Sequence, residues 1–225
     1  MNTDVDLGLT LRKAFQDHSY VVLTIPKNQT FKWNETVQLN PNQALEIRGE
    51  KRTTSQPSIV IDGYNKLNNE LFDLSRVVID GFGSLKLRNL RIQANLNLPF
   101  PLRNSMNRKE SNRMKYAECM DLSALFVSRC WDASGPATID IDSCMFEIDI
   151  PIINIGANSF CNIRVANSDI SAKKGKGDQT IYPITCENGG YKQGYGNVSL
   201  NNVNIMKPKI QWLETPYLNQ PDLQE

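Results

Sequence analysis

Apolar residues near the start recur at Leu7, Leu11, Ala14 and Phe15, one stripe of an amphipathic helix predicted over residues 4–18. Gly8 within that stretch weakens the helix. From Tyr20 the period shortens to two. Tyr20 to Ile25 reads as a strand stopped by Pro26, and residues 31–33, 36–39 and 44–47 follow as short strands. Asn, Pro and Gly punctuate them at Asn28, at Asn40-Pro41-Asn42 and at Gly49.

Two kinds of phrase then repeat. IVIDG at 59–63 returns as VVIDG at 77–81. LKLRNLRI at 85–92 returns as IDIDSCMF at 139–146, IRVANSDI at 163–170 and VSLNNVNI at 198–205. Positions one and three are always aliphatic; position five is Asn89, Ser143, Asn167 and Asn202. Position eight is Ile92, Phe146, Ile170 and Ile205. Spacings of 54, 24 and 35 residues fit a unit of roughly 20–24 residues, skipped once and interrupted by insertions. Such self-similarity predicts a solenoid in which positions one and three bury aliphatic stacks and positions two and four face out. Position five then sits at a corner that needs a left-handed backbone, which Asn tolerates better than branched residues.

With its N-terminal helix, IPKNQTF at 25–31 and LEIRGE at 45–50, the chain resembles the pectin-lyase-like superfamily over residues 4–206. The resemblance implies an all-β fold: a right-handed parallel β-helix with a short N-terminal capping α-helix. Residues 1–19 would be the cap, 20–206 the β-helix and 207–225 an extended tail. Six or seven coils at about 4.8 Å each would make a rod roughly 30 Å long. A β-sandwich would also explain short strands, but not the recurring eight-residue phrase.

Two stretches break the pattern. Residues 94–118 are polar and basic, with Arg103, Arg108, Lys109, Arg113 and Lys115. Residues 172–179 carry Lys173, Lys174 and Lys176 among glycines. These eight cations are the candidate binding residues, for an anionic glycan or a protein, and insertions of this length are commonly functional. The tail holds Pro208, Pro216 and Pro221 with Trp212 and Tyr217, and reads as a strap along the rod or a contact with another subunit.

Composition changes this picture only at the margins. Hydrophobic residues make up 40% and charged residues 22%, with a net charge of +1, which argues against a disordered chain. It argues equally against a strongly basic nucleic-acid module. No apolar run approaches the ~18 residues that span a bilayer, so no membrane association is expected. The acidic start at Asp4 and Asp6 is unlike a signal peptide. Synthesis inside a cell, with the product associated with a virion, is the expectation. The five cysteines include no CxxC and His18 is the sole histidine. Buried thiols are expected, with no structural metal and no cofactor.

Candidate chemistry centres on Asp140 and Asp142, two apart on one outward face, with Glu147 and Asp149 beyond the corner. Paired carboxylates are what glycoside hydrolysis requires. If the phrases at 139 and 163 stack, Asp140 also lies beside Arg164 as a cross-strand ion pair. Asp140, Asp142 and Arg164 are therefore the catalytic candidates. Asp62 and Asp80 precede glycines and read as turns. The resemblance implies lyase or hydrolase relatives, yet the Asn-Thr-Asp, Asp-Asp, Gly-His-Gly and Arg-Ile-Lys signatures of the hydrolases do not occur. The first expectation is a non-catalytic module similar to viral appendages or adhesins, contacting glycans or proteins and forming a homotrimer. The alternatives are a polysaccharide lyase or hydrolase acting on an acidic glycan, and a scaffold whose basic loop grips a host protein or nucleic acid.

Overall fold

The fold comes from a computed structural model, which describes residues 2–50, 56–62, 65–67, 71–73, 75–95, 124–129, 136–148, 151–156, 159–172, 183–186 and 195–206. The chain opens with strand β1 (Asn2–Asp6) and helix α1 (Leu7–Asp17). It then visits three faces in turn. The first coil is β2 (Tyr20–Ile25), β3 (Thr30–Lys32) and β4 (Val37–Leu39). The second is β5 (Ala44–Gly49), β6 (Ser58–Asp62) and β9 (Val77–Asp80), with the hairpin β7 (Asn65–Leu67) and β8 (Leu71–Asp73) inserted. The third is β10 (Ser84–Arg88), β11 (Arg91–Asn95) and β12 (Phe126–Arg129). The fourth is β13 (Ala137–Asp142), β14 (Met145–Ile148) and β15 (Ile153–Ile155). In the fifth, β16 (Phe160–Ala172) runs across two faces before β17 (Ile184–Cys186). β18 (Tyr195–Met206) begins a sixth.

Strands of successive coils pair in parallel, first with first, second with second and third with third. The result is a solenoid-like stack of parallel strands, with β7–β8 the one antiparallel pair among the described residues. A β-sandwich of antiparallel sheets is excluded by this pairing.

The register aligns the eight-residue phrases directly. Leu85 pairs with Ile139, Ile139 with Ile163 and Ile163 with Val198. No coil is skipped between 85 and 139, contrary to the spacing argument: β10 pairs with β13 itself, and the extra length lies within the third coil, between β11 and β12. Earlier rungs of the column are Val21 and Leu45, whose phrases are too divergent to stand out. The VIDG echo is a different matter. β6 lies on the second face and β9 on the third face of one coil, so these two phrases share a pattern without stacking.

Positions one and three form the core. Leu85, Leu87, Ile139, Ile141, Ile163 and Val165 are all at most 4% exposed, and each such side chain contributes roughly 1.5–3 kcal/mol by burial. Position five turns the corner between the first two faces with a positive φ: 53° at Asn89, 54° at Ser143, 47° at Asn167 and 52° at Asn202. Asn28 serves the first coil at 59°, and Gly81, after Asp80, turns at 60°.

The N-terminus differs from expectation at its boundary. Residues 2–6 form a strand beside β3, and the helix begins only at Leu7. Asp6 sets that boundary. Its Oδ1 accepts from the Leu9 and Glu35 amides (3.2 Å each), and its Oδ2 from the Asn34 amide (2.7 Å). The helix packs Leu7 and Leu11 on the first coil. Gly8 is there because a Cβ would run into the Glu35 carbonyl. The third-face entry carries a second feature not read from sequence: Arg76 is fully buried, and its Nε donates to the Trp33 carbonyl at 2.8 Å.

Candidate functional site

Phrase positions two and four put alternate side chains on the outside of the first face. Position two runs Lys86, Asp140, Arg164 and position four Arg88 and Asp142 across β10, β13 and β16, where the row ends in the buried Ala166. Opposite charges thus meet across neighbouring strands, where paired Cβ atoms stand close enough to interact.

Asp140, Asp142 and Arg164 do come together, and Arg88 joins them at the centre. Its Nη2 lies 2.5 Å from Asp140 Oδ2 and its Nη1 2.8 Å from Asp142 Oδ2. Arg164 Nη1 donates to the other oxygen of Asp140 at 3.0 Å. The other oxygen of Asp142 accepts from Asn167 Nδ2 and from Ser143 Oγ, each at 3.0 Å. Asn202 Nδ2 in turn donates to Asn167 Oδ1 at 3.1 Å, so the corner amides extend the network to the last coil. Asn167 is therefore a hydrogen-bonding residue as well as a backbone one.

Asp142 is held below its ordinary carboxylate range. The Asn167 amide is the largest cause, followed by the Ser143 hydroxyl and the charges of Arg88 and Arg164, all opposing partial burial. An ionised carboxylate with both oxygens occupied is suited to holding neighbouring coils in register. It is poorly suited to giving up a proton at neutral pH.

The remaining acids have separate partners. Glu147 lies around the corner on the second face, where Gln93 Nε2 (2.7 Å) and Arg91 Nη2 (3.1 Å) reach it. Asp80 accepts from Gln38 Nε2 at 2.6 Å. Among the described residues no group of three or more His, Cys, Asp or Glu gathers where a metal ion could sit. Cys144 and Cys161 are buried, and burial pushes the Cys144 thiol up to about 12. No helix among the described residues is long and apolar enough to cross a membrane.

Arg103, Arg108, Lys109, Arg113, Lys115, Lys173, Lys174 and Lys176 lie outside the described residues, as does Asp149. The 54-residue spacing between the phrases at 85 and 139 hides Arg88, because it suggests a coil between them that does not exist. Placing the phrases of Leu85 and Ile139 on adjacent strands brings Arg88 opposite Asp142 at once.

Comparison with family models and with curated proteins yields no match. Among solved structures, the chain is similar to a PL6 family alginate lyase, AlyGC, at 13% identity and a TM-score of 0.41. The match covers 87% of this chain and 28% of that one, so the chain corresponds to under a third of that enzyme's length.

Proposed function

We propose that this chain is a non-catalytic, right-handed parallel β-helix module of the kind that viral appendages or adhesins use to contact glycans or proteins. The observation that carries the non-catalytic part is the occupancy of the two candidate carboxylates. Both oxygens of Asp140 and both of Asp142 accept from Arg88, Arg164, Asn167 or Ser143. A catalytic acid–base pair needs at least one oxygen turned toward substrate and a carboxyl able to hold a proton. Here the groups that would do that work brace three adjacent strands. The eight cations of the two insertions are the proposed contacts for an acidic glycan or a protein, and a homotrimer is the proposed assembly.

The test is a depolymerisation assay on pectate, alginate and other acidic polysaccharides, reading unsaturated ends and reducing ends. No product is expected from wild-type protein. Depolymerisation that disappears in Asp142→Asn would overturn the reading in favour of a lyase or hydrolase. Light scattering over a hundredfold concentration range tests assembly, and a monomer throughout would remove the trimer.

A further inference from the structure

We draw no further inference here: the strongest candidate, the apolar strip at the edge of the first-face sheet where Tyr20 and Val22 of β2 lie exposed beside α1, carries nothing because nothing in the structure shows what covers it.

Discussion

Arg88 and Asp142 are 54 residues apart in the chain and directly opposite one another on β10 and β13, with Nη1 2.8 Å from Oδ2. The same guanidinium holds Asp140, so one arginine from the third coil anchors two acids of the fourth. Coils separated by a long excursion between β11 and β12 have few local means of finding their register, and this contact is one.

Arg88→Ala should therefore cost more than an ordinary surface ion pair. Exposed pairs contribute about 0–1 kcal/mol. Arg88 is only 28% exposed at its side chain and serves two acids that are 17% and 25% exposed. Its loss leaves like charges side by side, and we expect about 1–2 kcal/mol. Chemical denaturation checks this. Arg91→Ala, which breaks the more exposed pair with Glu147, should cost less than half as much.

Acid stability should depend on Asn167. The Asn167 amide is the largest cause of the lowered Asp142 pKa, so it favours the ionised carboxylate of the folded state. A depressed folded pKa adds stability above the unfolded value of about 3.9, and that stability is lost as pH falls through the folded value. Asn167→Gly keeps the left-handed corner and removes the donor. The stability gap between wild type and this variant should be constant from pH 7 to about 5 and shrink below about pH 4. A gap unchanged down to pH 2 would show that Asn167 acts through packing alone.

Corner residues should discriminate by backbone rather than by side-chain size. Asn89 has a φ of 53°. Asn89→Gly should shift stability by less than about 1 kcal/mol, since glycine adopts this region freely. Asn89→Val should cost about 1–2 kcal/mol or more, because a branched Cβ crowds the carbonyl there. Thermal melts of the two variants separate these outcomes.

These corners also explain what could be read from sequence. Position five was legible because its backbone demand falls on one residue type, Asn, with Ser143 the exception. The buried stack was legible because positions one and three carry aliphatic residues in each of the four phrases. The coil order was less so: an insertion costs little loop entropy per added residue, and its length says nothing about which strands stack. Arg88 was hidden behind that ambiguity. Arg76 gave no signal of its own, because its burial depends on Trp33 and Ser75 carbonyls brought to it by the fold.

Asp6 offers the sharpest test of how the N-terminal segment is attached. One carboxylate caps α1 through the Leu9 amide and takes the Asn34 and Glu35 amides of the link between β3 and β4. Loss of a cap alone costs roughly 0.5–2 kcal/mol. Asp6→Ala would also strand two part-buried amides, for which about 1 kcal/mol or more is added. Asp6→Asn keeps one acceptor oxygen and should recover part of the loss. If attachment runs through this side chain, hydrogen exchange in Asp6→Ala should rise through residues 7–17 and at 34–35, while β13 and β16 stay protected. Uniform exchange across all coils would mean instead that the helix and the stack unfold as one unit.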